Sequence, residues 1–400
     1  MRIGGVVAEY NPFHNGHAYQ LMELRQAGAT HIAVVMSGNF VQRGEPALLD
    51  KWTRAEAALL CGADLILELP LPYGAATAER FAFGAVSLLE GLGCVDLLGF
   101  GCESGDLPAL QRAARAVEDP EVYEAVRERM AEGISFAAAR EEAVRERWGE
   151  AGDALRRPND ILAVEYLRQL GRLGSPIRPV AVARKGAGHD GGIGEDGFAS
   201  ASFLRARWED GLEAVLPYLP QQVHGVYKQA RAEGRVLDRE RWQWMELSGL
   251  RTLSIEAFAQ GPDLSEGLEN RLYAASRQAG NLSEFYSLCK AKRYSHARMR
   301  RLALAAFLGV EGGLCRLPPP YLRVLGFNGR GREILAKAAK TARLPISHSL
   351  ARLEQLGDAA ARFAALEAKA GDQYALGLQS PRPCGWEYTH KPVILTKAKD

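Results

Sequence analysis

Apolar positions in the first hundred residues fall into two alternating patterns. Short runs that are apolar almost throughout, at Arg2–Ala8, His31–Met36, Leu65–Leu69 and Val95–Phe100, predict buried strands. Between them, Gly16–Ala27, Lys51–Leu60 and Ala76–Gly91 carry apolar residues at helical spacing. Pro70 and Pro72 close the third strand, and Gly99 and Gly101 mark the end of the fourth. Strands without a polar face, separated by amphipathic helices, predict an α/β, Rossmann-like parallel sheet covered on both sides. Ligands of such sheets bind beyond the carboxyl ends of the strands. Residues 107–150 read as a charge-rich helical insertion. Arg157–Leu170 resumes the alternation, with Asn159 or Asp160 as its cap, and Ile177–Ala183 is a fifth strand. Ala199–Val215 opens a helix capped by Ser200 or Ser202. Beyond about residue 206 helices dominate, with a break at Leu317–Tyr321. The expected division is a catalytic domain over 1–210 and a mainly helical, basic C-terminal domain over 211–400.

Composition narrows the class. The chain has 400 residues, 47% hydrophobic and 24% charged, which suits two ordinary globular domains and excludes a disordered, collagenous or disulfide-framework protein. No apolar run approaches the roughly 18 residues of a membrane span. The opening MRIGGVVAEY lacks a basic start and an apolar signal run, so no membrane and a cytoplasmic location are expected. Six scattered cysteines without a C-x-x-C pair read as reduced thiols, with no protein-bound metal. The net charge of +2 conceals an asymmetry: Lys290–Arg343 holds 13 Lys and Arg against Glu311 and Glu333 alone. A basic block in a near-neutral chain points to a polyanionic partner.

The sharpest chemical signal is Glu9-Tyr10-Asn11-Pro12-Phe13-His14-Asn15-Gly16-His17, directly after the first strand. His14 and His17 share one side of a first helical turn, Gly16 admits close approach to the backbone, and the helix start adds free N–H groups. Together these suit phosphate oxygens, although H-x-x-H spacing alone also serves a helical metal pair. A second constellation, Ala199-Ser200-Ala201-Ser202-Phe203-Leu204-Arg205, follows a glycine-rich loop at 185–197. Its hydroxyls and Arg205 suit further phosphates, while a serine in this position is most often a simple helix cap. Within Lys290–Arg301 stand six Lys or Arg with Tyr294 and His296 interleaved. As one helix, this stretch would align Lys290, Arg293, Ala297 and Arg301. It reads either as an RNA surface or as a solvated helix face.

These motifs, with M-S-G-N-F-x-Q-R-G-E-P-A at 36–47, K-W-x-R at 51–54, D-L-I-L-E-L-P at 64–70, R-P-N-D-I-L at 157–162, R-K-G-A-G-H-D at 184–190, K-x-K-R-Y at 290–294 and E-Y-T-H-K-P at 387–392, resemble the tRNA(Met) cytidine acetate ligase family. That family lies in the nucleotidyltransferase superfamily, which is related to class I aminoacyl-tRNA synthetases. Departures are Ser202, where threonine is more frequent, and Phe203, where a smaller polar residue is usual.

The resemblance implies attack of acetate on ATP to give acetyl-adenylate and pyrophosphate. The wobble cytidine of elongator tRNA(Met) then takes the acetyl group as N4-acetylcytidine. His14 and His17 become the catalytic pair, and Mg²⁺ travels with ATP. The nucleotide site implied comprises Val7, Ala8, Glu9, Tyr10, Asn11, Pro12, Phe13, His14, Asn15, Gly16, His17, Gln20, Gly101, Asn159, Arg184, Ser200, Ser202 and Arg205. No catalytic role falls to Glu9, and Asn159 is equally readable as a helix cap. Ser37, Gly38, Asn39, Gln42, Arg43, Lys51 and Arg54 are expected on the acetate or cytidine side; a solvated helix face explains Lys51 and Arg54 nearly as well. Lys290, Lys292, Arg293, Tyr294, Arg298, Arg300 and Arg301 are expected on tRNA. His189 and Asp190 place a mobile lid in the glycine-rich loop. The rival functions are a small-molecule adenylyltransferase and a non-catalytic RNA-binding protein on the same fold.

Overall fold

The computed structural model describes residues 1–185, 197–265, 267–290 and 294–396. Among them are the strands β1 (Ile3–Ala8), β2 (His31–Ser37), β3 (Phe40–Val41), β4 (Glu45–Pro46), β5 (Leu65–Leu69), β6 (Leu97–Cys102), β7 (Arg178–Ala183), β8 (Leu322–Phe327), β9 (Ile346–Ser347) and β10 (Val393–Ile394). β3 and β4 form a small hairpin; the others build one sheet in the order β10-β8-β5-β2-β1-β6-β7, with β9 also beside β8. β1, β2, β5, β6 and β7 run parallel. The chain steps outward from β1 through β2 to β5, then crosses back to β6 on the other side of β1. That reversal opens a crevice at the carboxyl ends of β1 and β6.

All five strands read from the sequence are present, the fourth displaced by two residues to Leu97–Cys102. One face of the sheet packs on helices Ala78–Gly91 and Pro158–Arg172, through Phe81, Val86 and Tyr166. The other packs on Asn15–Gln26 and Lys51–Leu60, through Leu21, Leu24 and Leu59. The insertion is three helices, Leu107–Ala116, Pro120–Ala131 and Phe136–Trp148. Helices within 239–308 enclose their own core of Leu250, Phe258, Leu272, Phe285 and Met299. The expected helix Ala199–Val215 is shorter, Ala201–Arg207, because Gly211 at φ 114° takes the chain out of helical geometry.

Strands also return in the region expected to be mainly helical. After the break at Leu317–Tyr321, β8 lies antiparallel on β5, and β10 extends the sheet parallel to β8. A buried charge cluster fixes this junction. Lys51 Nζ lies 2.5 Å from both Glu68 Oε1 and Glu387 Oε2. Arg323, from β8, reaches Glu68 at 2.9 Å and Glu387 at 2.6 Å, and donates to the Glu387 carbonyl at 2.9 Å. Glu367 joins from helix Asp358–Leu376 and accepts the Leu71 N–H. Burial, then the Glu68 carboxylate, push the Glu367 carboxyl up to about 8. Glu367 thus favours its protonated form, beside the two cations and the carboxylates of Glu68 and Glu387.

Removing one member strands the others without water. Lys51→Met is expected to cost about 3–5 kcal/mol of stability, read as a lowered unfolding midpoint. Glu367 binds its proton more tightly folded than unfolded, so it favours folding most at low pH. That contribution fades as pH rises from about 4.5 to about 8. Glu367→Gln is expected to flatten stability over this interval in a pH series of denaturation curves.

Candidate active site

β1 ends at Ala8, and residues 9–14 carry the chain over the sheet edge into helix Asn15–Gln26. Tyr10 sits in the left-handed region at φ 49°, which reverses the backbone. Its buried ring packs 4.7 Å from Phe13 and 4.8 Å from His17. Asn11 Oδ1 accepts the Leu48 N–H at 2.8 Å, its carbonyl accepts from Arg205 at 2.8 Å, and Phe13 N donates to the Tyr227 hydroxyl at 3.0 Å. Tyr10, Asn11, Pro12 and Phe13 are all buried and shape the loop from behind, and none of them lines the cleft beside the histidines. Val7 and Ala8 belong to β1 itself, and Asn15 Nδ2 donates to Gly197 O at 3.1 Å.

The histidines cap their own helix. His14 Nδ1 accepts from Gly16 N at 3.0 Å, and His17 Nδ1 accepts from His14 N at 3.2 Å. The rings stack with centroids 3.7 Å apart. An imidazole that accepts at Nδ1 carries its proton at Nε2, so each presents an N–H pointing away from the backbone. Burial first, then Arg184 and Arg205, hold His14 down to about 3. Burial, His14 and Arg184 hold His17 well below its ordinary value. Both are neutral donors at physiological pH. A Cβ on Gly16 would lie 2.9 Å from His14 Cε1, so the glycine is what lets this ring lie against the backbone.

A cleft at the crevice joins His14, Gly16, His17, Gln20, Gly101, Arg184 and Ser200, as expected from the sequence. Tyr19, Lys185 and Phe198 line it too and were missed. Lys185 Nζ lies 4.5 Å over the Tyr19 ring, whose edge meets Phe198 at 6.1 Å. Their positions beside the histidine helix and the glycine-rich loop were the available signal. Asn159 lies one step back: its Oδ1 accepts from Arg184 at 3.1 Å, and its Nδ2 donates to Glu103 at 2.5 Å. Neither Asn159 nor Asp160 caps the helix, which begins at Pro158; the Glu103 carboxylate instead accepts the N–H groups of both. Ser200 is the cap of helix Ala201–Arg207, accepting from Phe203 N at 3.2 Å, with Ser202 Oγ 3.0 Å away. Ser202 and Arg205 face a different cavity. His189 and Asp190 lie outside the described residues, as does most of the loop read as a lid.

The residues expected on the acetate or cytidine side divide. Lys51 is locked in the charge cluster. Arg54 is fully buried, with Nε donating to Leu49 O at 3.0 Å, Nη1 to Glu9 O at 2.6 Å and Ser37 O at 3.1 Å, and Nη2 to Gly38 O. Both side chains are enclosed and spend their donors on the protein itself, which rules out a solvated helix face. Ser37 and Asn39 are buried as well, and Asn39 Oδ1 accepts from Lys51 N at 3.0 Å. A Cβ on Gly38 would stand 2.8 Å from Glu68 Oε1, so Gly38 makes room for the cluster. Gln42 and Arg43, in the β3–β4 turn, stay partly exposed. Glu9 accepts from Gln42 N at 2.8 Å; burial raises its carboxyl, while that bond and Arg205, Arg43 and Arg54 draw it down.

The basic block is not one helix. One helix ends at Cys289 and the next begins at His296, capped by Ser295, so Lys290 and Arg301 do not share a face. Lys292 and Arg293 lie outside the described residues. Lys290 is exposed. The Tyr294 hydroxyl is 3.0 Å from Ser265 Oγ, and the Arg298 guanidinium lies 4.9 Å over the Tyr294 ring. Arg300 pairs with Glu45 at 3.0 Å and Arg301 donates to Gln42 O at 3.4 Å, so these two dock the helix on the β3–β4 hairpin.

A parallel sheet with H-x-G-H at the exit of its first strand, faced by an arginine from the far strand, defines a nucleotidyltransferase of the histidine-motif class. The family model HIGH Nucleotidyl Transferase matches residues 1–385. The chain is 37% identical to the tRNA(Met) cytidine acetate ligase of Thermoanaerobacter sp. (strain X514), over 98% of this chain and 100% of that one. It is 41% identical to that of Syntrophotalea carbinolica, over 88% and 86%. It superposes on Thermotoga maritima TmcAL bound with α-thio ATP with a TM-score of 0.92 at 35% identity, covering 99% of this chain and 100% of that one. The chain belongs to the tRNA(Met) cytidine acetate ligase family.

Two outcomes are expected of this site. Gly16→Ala should displace the His14 ring and lower turnover by about 10²-fold, with the unfolding midpoint little changed. The folded histidines bind protons less readily than unfolded ones, so they cost stability as pH falls below about 6.5. Denaturation at pH 7 and pH 5 should show a smaller loss for His14→Asn, which keeps a capping side chain.

Proposed function

We propose that this protein joins acetate to ATP as acetyl-adenylate and then acetylates N4 of the wobble cytidine in elongator tRNA(Met), releasing AMP and pyrophosphate. The observation that carries the reading is the pair of neutral, backbone-anchored imidazoles at the crevice. Acetate is already anionic at neutral pH, so its attack on the α-phosphorus needs alignment and charge stabilisation, with no general base. The Nε2–H groups of His14 and His17 supply fixed donors to phosphate oxygens, and Arg184, held by Asn159, adds positive charge. Donors already oriented by the backbone pay no reorganisation as charge shifts to the departing pyrophosphate.

Mg²⁺ belongs with the nucleotide in this reading. Among the described residues no group of three His, Cys, Asp or Glu side chains is placed to hold a metal ion, so the phosphates and water would hold it. No described helix is long and apolar enough to cross a membrane, and we place the protein in the cytoplasm with its tRNA. For the RNA backbone, a groove of about 870 Å³ between the helical insertion and the C-terminal helices carries Arg80, Arg140, Arg172, Arg298, Arg301 and Arg316. Several of these are paired internally, as Arg80 is with Asp263.

Acetate-dependent ATP–pyrophosphate exchange tests the first step. It should occur without tRNA and fall by about 10²–10³-fold in His17→Ala; exchange indifferent to acetate would overturn the reading. Binding of tRNA should weaken steeply as salt rises to physiological strength. Arg316→Ala should reduce that slope, measured by titration at several salt concentrations.

A further inference from the structure

Ser202 and Arg205 turn from the nucleotide cleft toward a second cavity of about 390 Å³, which Trp242, Glu246, Tyr286 and Arg300 line from the other side. Glu246 is 2% exposed, yet it is one of the residues that line this space. It accepts from Trp242 Nε1 at 2.8 Å and from the Tyr286 hydroxyl at 3.1 Å. A carboxylate has about four acceptor positions, so these bonds leave capacity for a donor arriving through the cavity. Arg300 is tied to Glu45 through Nη1 at 3.0 Å, while its buried Nε has no partner. The two cavities adjoin: Ser200 Oγ, in the nucleotide cleft, is 3.0 Å from Ser202 Oγ. Arg205 Nη1, meanwhile, holds Asn11 O in the loop that carries His14.

This combination suits one chemistry. A buried carboxylate repels acetate and welcomes an amine. Aromatic walls suit a base, and arginines at the rim suit the phosphates beside it. We infer that this cavity receives the extruded cytidine of the RNA acceptor, with Glu246 accepting the exocyclic N4–H₂ group and Arg300 serving its phosphate. The inference rests on the acetyl transfer proposed above. In that step the N4 lone pair attacks the acetyl carbonyl carbon and a C–N bond forms. The C–O bond to the AMP phosphate breaks, and AMP leaves with the electron pair. The surplus N4 proton passes to the Glu246 carboxylate and from there to water. Burial pushes the Glu246 carboxyl up to about 7, the range useful to a base at neutral pH.

The test uses the full-length protein, Glu246→Gln, and Gln243→Trp, which places a bulky ring at an exposed position of the cavity lining. Three quantities are read: acetate-dependent ATP–pyrophosphate exchange, acetyl transfer to tRNA, and the binding ratio of anticodon stem-loops with cytidine or uridine at the wobble position. Glu246→Gln should keep exchange within about twofold of the parent and lose transfer by about 10²-fold or more. Its cytidine preference should fall by about tenfold. Gln243→Trp should also keep exchange and lose transfer. Parent-like transfer and base preference in Glu246→Gln would overturn the inference, as would loss of exchange in either variant at an unchanged unfolding midpoint. If the parent itself shows no acetate-dependent exchange, the adenylation reading fails separately, and the stem-loop ratio still decides whether the cavity reads cytidine.

Discussion

Peptide carbonyls at the carboxyl ends of β1 and β2 run out of ladder partners at the place where the chain must turn into a ligand site, and a buried carbonyl left unpaired is costly. Arg54 resolves this. Its guanidinium, shut off from water, takes up the carbonyls of Glu9, Ser37 and Gly38 at the two strand exits and that of Leu49 beside its own helix. The histidine loop, the Ser37–Gly38 turn and the start of helix Lys51–Leu60 are thereby one rigid unit. The capped histidines can be held in a single tautomer only because the loop behind them has no freedom to shift.

The same economy of cations runs through the molecule. Charges that a substrate-centred reading assigns to ligands, Lys51 and Arg54 above all, hold the frame instead. Those that reach ligand space, such as Arg184 and Lys185, sit at a strand end and a loop start where water can enter. Burial sorts the two groups. A cation enclosed by the fold needs fixed partners and is immobile, whereas one at a crevice is free to meet phosphate. Arg300 and Arg301 stand between these extremes, pinning the C-terminal helices to the β3–β4 hairpin next to the site.

The sequence was most informative where structure is local. The five parallel strands, the reciprocal histidine spacing and the serine cap depend on neighbours within a few residues, and periodicity reports such neighbours directly. The burial of Lys51 and Arg54 was not legible because helical spacing shows that they share a helix with Trp52, and says nothing of Glu387 or Gly38 arriving from elsewhere. β8 escaped notice because LRVLGF follows a proline break inside a helical region, and its partner β5 lies some 250 residues earlier in the chain. Glu246 was unreadable in part for the same reason: Trp242 stands one turn away on its own helix, but Tyr286, its other partner, arrives from 40 residues further on.

Long-range closure also bears on how the chain meets the ribosome. Lys51 and Glu387 are 336 residues apart in sequence. At about 5–20 residues per second, synthesis places them on the order of half a minute apart. For most of that interval, until β8 emerges, β5 is an open edge, with unpaired N–H and C=O groups and an incomplete set of counter-charges beneath it. Exposed edges of this kind recruit other chains. The nascent protein therefore spends most of its translation as a sheet missing one side, and Lys51, a charge close to that edge, doubles as its guard until β8 arrives.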